Sequence, residues 1–332
     1  MIIDVERGAV VESSHRVHAA VRFARDGRDA TFGDPGASSF WRSALKPFQA
    51  LMVVEDGVLQ AFGLDDEDLA VICASHGGTP DHVGRVERIL DAIGQVPDDL
   101  RCGPHVPYHP ESADALRRSG LQPGRQHNNC SGKHASMLAL ALHRGWDHAG
   151  YWRYEHPVQA RVRALLLDWI DSDPEQLQWA TDGCGVPTPT LPLAEMAMAY
   201  ARLAERSTVA GSPTAAVVAA MTSHPELTSS PGREPLRVMQ ATGGRLLAKE
   251  GAEGVLCIAG IDAGWGMALK VEDGARRAVG PAAVEALVRL GLVDAREREA
   301  LRELADVPIL STRGATVGRI HPRRSDGSAA GG

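Results

Sequence analysis

Lysine is scarce in this chain. Of 35 basic residues in a 332-residue sequence only Lys46, Lys133, Lys249 and Lys270 are lysines, and arginine fills the rest. Arginine does not give up its proton near neutral pH, so each remaining lysine is a candidate for work that needs a neutral amine. A disulfide framework is also lacking. The five cysteines, Cys73, Cys102, Cys130, Cys184 and Cys257, are odd in number, widely spaced and never arranged as Cys-x-x-Cys, which fits reduced thiols and small buried side chains. Long apolar runs are missing too. The opening stretch 1–21 is interrupted by Asp4, Glu6, Arg7 and Glu12, which leaves no uninterrupted segment for a signal peptide, and no later stretch is long enough to cross a bilayer. No basic cluster stands beside exposed aromatics, and the net charge is -7, which argues against nucleic acid as a partner. A soluble cytoplasmic protein with no membrane or nucleic-acid partner is expected.

What is present suffices for a large core, since 44% of the residues are hydrophobic. Alternating stretches at 9–17 and 18–25, punctuated by Asp26-Gly27 and Asp34-Pro35-Gly36, predict a hairpin or meander. Helical periodicity follows at 65–74, from Pro80 with Thr79 as N-cap, and at 132–143, 157–170, 193–205, 214–223 and 282–290. Strands return at 254–261 and 266–271, joined by Asp262-Ala263-Gly264 as a hairpin turn. The pattern predicts an α+β fold: one antiparallel sheet built from both chain ends, packed with a largely helical region over about 65–250. One domain over 1–320 and a polar, glycine-ended tail over 321–332 complete the expectation.

Three constellations carry chemistry. Ser43-Ala44-Leu45-Lys46 sets a hydroxyl and an amine one helical turn apart, where a desolvated lysine can take the serine proton and make it a nucleophile. Taken alone, the same four residues also describe an N-capping serine and a surface lysine. Pro47 suits a helix first turn, and the apolar run 48–54 would bury the helix behind the pair. Ser75-His76-Gly77 sits where a helix should end and can supply a second hydroxyl. The run His127-Asn128-Asn129-Cys130-Ser131-Gly132-Lys133-His134 is the densest polar patch and leads straight into an apolar helix. Cys130 and Lys133 share a helix face there, and glycine-flanked Cys184 can join them as a third zinc ligand. The metal-free alternative makes Cys130 a nucleophile with His134 as its base.

Together, the segments Trp41-Arg42-Ser43-Ala44-Leu45-Lys46-Pro47, Ser75-His76-Gly77, 127–134 and Asp182-Gly183-Cys184-Gly185-Val186-Pro187 resemble, in order and spacing, the rhizobial-type (type II, class 3) L-asparaginases. The late segments 251–255 and 268–274 fit the same family, and the resemblance covers about Val5 to Leu292. It implies a fold like that of serine β-lactamases and glutaminases, two Ser-Lys tandems, and a zinc held by two cysteines and a lysine. Carried over, Ser43 with Lys46 forms one tandem and Ser75 with Lys270 the other, with Lys249 as the alternative second lysine. Cys130, Lys133 and Cys184 become the zinc ligands, and Arg42, His134 and Asp182 the close supporting residues. Gly77-Gly78-Thr79 departs from the family, where many members have serine, glycine and glutamate. The implied activity is hydrolysis of L-asparagine by a homodimeric enzyme. Glutamine hydrolysis is the nearest rival, because one methylene is worth only about 1–3 kcal/mol of discrimination. A penicillin-interacting enzyme fits less well, as 269–271 reads Leu-Lys-Val rather than Lys-Thr-Gly. A zinc-stabilised binding protein for small amino acids is the non-enzymatic alternative.

Overall fold

A computed structural model describes residues 1–25 and 27–323. Asp26 of the expected turn and residues 324–332 of the expected tail lie outside the described residues. The strands are β1 (Ile2–Arg7), β2 (Val10–Phe23), β3 (Ala30–Phe32), β4 (Ser38–Phe40), β5 (Trp179–Thr181), β6 (Pro187–Pro192), β7 (Leu246–Gly251), β8 (Val255–Gly260), β9 (Trp265–Val271), β10 (Val307–Leu310) and β11 (Thr316–Pro322). The main sheet runs β10-β11-β1-β2-β9-β8-β7, with β3 paired to β2, and every pairing in it is antiparallel. A small second sheet has the order β4-β6-β5. The expected α+β layout, with strands from both chain ends and helices between, is what the chain adopts.

Several details differ from expectation. The stretches 9–17 and 18–25 form one strand, β2, and its hairpin partner is β1 across Gly8, whose φ of 59° suits a glycine turn. The strand β7 was not expected. Its sequence, Leu-Leu-Ala-Lys-Glu, favours a helix by local propensity, and pairing with β8 and burial of 246–250 override that preference. Strand β11 continues through His321 and Pro322, and Arg323 then holds Asp4 through two hydrogen bonds of 2.8 Å, so the chain end is tied down to that point.

Side chains alternate across the sheet and serve two cores. Leu256, Ile258, Met267 and Leu269 meet the helix Val279–Arg289 on one face, while Val255, Cys257, Ala259 and Ala268 face the larger helical region. Leu247 belongs to the helical side, and Lys249, two residues on, shares its face. Within that region Thr79 caps the helix Pro80–Ala92 as expected. The helix Ser131–His143 lies against Asp66–Ile72 so closely that Gly132 meets the Val71 carbonyl. No helix among the described residues is long and apolar enough to cross a membrane.

That close approach gives a test of the frame around the site. Gly132→Ala places a methyl against backbone that cannot rotate away, and overpacking of this kind destabilises by about 1–3 kcal/mol. Chemical unfolding should show a lower midpoint with an unchanged slope. An unchanged midpoint would mean that the two helices separate freely.

Candidate active site

The chain bends sharply just before the Ser-x-x-Lys segment. Arg42 has φ of 54°, in the left-handed region that non-glycine residues avoid. Its backbone N–H donates to Thr188 Oγ1 at 3.0 Å and its Nε donates to Asp182 Oδ1 at 2.7 Å, which together hold the strained conformation. Ser43 follows inside a 3-10 turn, Arg42–Leu45, and Lys46 opens the helix Lys46–Glu55 with Pro47 in its first turn. The residues from Pro47 to Val53 are buried, as the apolar run predicts.

Lys46 is buried as well. It donates to Ala74 O at 2.6 Å, Ser75 Oγ at 3.1 Å and Asn129 O at 3.4 Å. Ser75 lies three residues beyond the helix Asp66–Ile72, fixed by its own N–H on Thr228 O, while the His76 N–H binds Asn129 O. A second buried amine meets the same hydroxyl: Lys249 Nζ is 2.6 Å from Ser75 Oγ. Burial and the neighbouring Lys46 lower the Lys249 amine to about 7. Ser43, Ser75 and Asn129 line one cavity of about 140 Å³ with residues of the β7–β8 turn.

Lys270 does not complete the second tandem. It is half-buried, and its amine turns back to the carbonyls of Val271 and Glu272. The register explains this. Lys249 on the edge strand β7 stands opposite Cys257 on β8, which stands opposite Ala268 on β9, whereas Lys270 faces Val255 two strands in from the edge. Two strand spacings are about 10 Å, beyond the reach of a hydrogen bond to Ser75. The signal that points to Lys249 is Lys249-Glu250-Gly251, a Lys-x-Gly segment on a strand, which a search for Lys-Thr-Gly at 269–271 overlooks.

The thiol-bearing segments also converge. Lys133 Nζ donates to Cys184 Sγ at 3.0 Å, and the Cys130 thiol hydrogen-bonds the same sulfur. That bond and the Lys133 amine hold Cys184 well below the usual thiol range, while Cys130, which gives the hydrogen bond and is buried, is pushed up to about 12. The hydrogen-bond partner of Cys130 is Cys184 rather than His134. The His134 ring binds Tyr151 OH through Nδ1 at 2.8 Å, and burial followed by the Lys133 charge lowers it to about 3. Its Nε2 is buried without a partner among the described residues. Burial alone would raise the Asp182 carboxyl, but Lys133 and Arg42 outweigh it and keep the group ionised. Among the described residues no three His, Cys, Asp or Glu side chains form a metal cluster. The Lys133 amine stands beside the two sulfurs.

A hydroxyl thus stands between two amines, beside a small cavity that a second hydroxyl lines. The family model described as L-asparaginase II matches residues 3–322, so the chain belongs to that family and is an amidohydrolase acting on asparagine. No curated protein matches the chain.

The two late lysines separate cleanly by substitution. Lys249→Arg removes an amine that can be neutral near pH 7 and should lower ammonia release from asparagine by about 100-fold or more. Lys270→Arg should leave turnover near the wild-type value. Steady-state rates with melting curves for both variants check this, and an active Lys249→Arg enzyme would remove Lys249 from the mechanism.

Proposed function

We propose that the chain hydrolyses L-asparagine to L-aspartate and ammonia through an acyl-serine intermediate, with Ser43 as the nucleophile and Ser75 and Lys249 as the path for its proton. The observation that carries this reading is Ser75 Oγ, held 2.6 Å from Lys249 and 3.1 Å from Lys46 beside a cavity that Ser43 also lines. A hydroxyl has one proton and two lone pairs. Donating to neutral Lys249 and accepting from Lys46, the buried Ser75 has little capacity left for attack and is suited to relay a proton. Ser43 is only partly buried, follows the strained Arg42 and precedes the N-terminus of the helix Lys46–Glu55, whose dipole favours negative charge.

In this scheme Lys249 accepts the Ser75 proton as Ser75 accepts that of Ser43, and Ser43 Oγ bonds to the side-chain amide carbon. The proton returns to nitrogen as the C–N bond breaks and ammonia leaves. Water then cleaves the ester along the same path. The set of Ser43-x-x-Lys46, Ser75 and Lys249-x-Gly251 parallels the Ser-x-x-Lys, Ser-Asp-Asn and Lys-Thr-Gly elements of serine β-lactamases, which supports a related fold.

Cys130, Cys184 and Lys133 suit a zinc ion, since two sulfurs and an amine converge in a buried place and are donors that zinc would accept. Bound there, zinc would keep both thiols deprotonated and act as a Lewis acid at its open position. The chain's own contribution is to anchor that cluster: Arg42, adjacent to the nucleophile, is fixed through Asp182, which stands two residues from Cys184.

A lysine lowered to about 7 is ammonium below that pH and a base above it. The kcat/KM for asparagine should therefore fall as pH drops through about 7, and an acyl adduct trapped at low pH should map to Ser43 by mass spectrometry. An adduct on Ser75 would exchange the roles of the serines, and the absence of ammonia release would refute the hydrolysis. Elemental analysis of protein purified without chelator should find one zinc per chain, less firmly held below neutral pH as protons compete for thiolate and amine. Metal-free protein with full activity would argue against the ion.

A further inference from the structure

Beyond the reacting groups, the cavity contains an ion pair that the proposed chemistry does not use. Glu250 directly follows Lys249 on β7, and its Oε2 accepts from Arg233 Nη1 at 2.9 Å. Its other oxygen, Oε1, is buried and has no hydrogen-bond partner among the described residues. Buried carboxylate oxygens are rarely left unpaired, because the desolvation is then uncompensated. Arg233 is mostly buried, lies over the Tyr108 ring at 5.0 Å, and has further N–H donors in its planar fork beyond the one given to Glu250. Glu250, Arg233 and Tyr108 line the cavity that contains Ser43 and Ser75. A free carboxylate oxygen and a guanidinium, held side by side by their own bond and by an aromatic face, make a template with one negative and one positive end.

We propose that this pair reads the amino-acid head group of the substrate, Glu250 taking the α-ammonium and Arg233 the α-carboxylate. The inference rests on the asparagine-hydrolysis reading and deepens it. The last torsion of a glutamate is soft, so Oε1 can turn into the cavity when a cation enters. The amide end of the substrate is then directed toward the hydroxyls, and amides without the zwitterionic head are poor substrates. Glu250 and Arg233 act here as specificity-determining residues, with no part in proton transfer.

The test uses three amides that differ only in the head: L-asparagine, succinamate, which lacks the α-ammonium, and 3-aminopropanamide, which lacks the α-carboxylate. Glu250→Gln should raise KM for asparagine and 3-aminopropanamide by about tenfold or more, the scale of a lost charge-assisted hydrogen bond, and leave succinamate unchanged. Arg233→Gln should do the same for asparagine and succinamate and spare 3-aminopropanamide. An equal loss on all three amides, with an active wild type, would make the pair a structural ion bridge and overturn the proposal. Should either variant fail to fold, calorimetry on the wild type decides: L-aspartate must bind at least about tenfold tighter than succinate, and equal affinities overturn the proposal. A wild type that prefers aspartate in this way yet releases no ammonia would refute the hydrolysis while keeping the head-group recognition.

Discussion

The site depends on the burial of two lysine amines against a single hydroxyl. Lys46 and Lys249 are each 1% exposed, and two like charges that share Ser75 out of reach of water cannot both be carried without large loss of stability. The chain resolves this by unequal surroundings. Lys46 has two backbone carbonyls besides the hydroxyl, whereas Lys249 has Ser75 and one distant carbonyl, Glu250 O at 3.3 Å. Burial, and then the neighbouring Lys46, lower the Lys249 amine to about 7. The lowered Lys249 amine requires three separate pieces of chain to meet: the start of the helix Lys46–Glu55, the residues after Asp66–Ile72, and the edge strand β7.

Much of this was legible in the sequence because it rests on residue type. The scarcity of lysine marked Lys46, Lys133 and Lys249 along with Lys270, and three of those four amines are buried in polar clusters. Glycine-flanked Cys184 and the dense patch at 127–134 were visible for the same reason, as were the late hairpin and the sheet drawn from both chain ends. What could not be read was which late lysine meets Ser75. That choice is made by strand register, and the strand that decides it has a helix-favouring composition. The ion pair of Arg233 and Glu250 escaped notice as well, since 17 residues separate the partners and neither segment has a recognisable motif.

The thiol cluster and the hydroxyl pair are mechanically joined. Asn129 presents its carbonyl to Lys46 and to the His76 N–H, and Cys130 is the next residue. From the other side, Arg42 ties the backbone before Ser43 to Asp182, whose carboxylate also receives the Gly183 N–H at 2.6 Å. The strained conformation at Arg42 persists because two hydrogen bonds from distant parts of the chain hold it. Cys184 is thus linked to Ser43 through Gly183, Asp182 and the ion pair of Asp182 with Arg42.

Having so few lysines also shapes how the protein meets reagents. Three of its four side-chain amines are sealed in the interior, and only Lys270, half-buried at the end of β9, has solvent beside it. Amine-directed conjugation with activated esters, which decorates most proteins at many positions, has a single side-chain target here. A polymer or a dye can be attached at one defined side chain on the sheet, two strands away from Lys249, without a cysteine being engineered for the purpose.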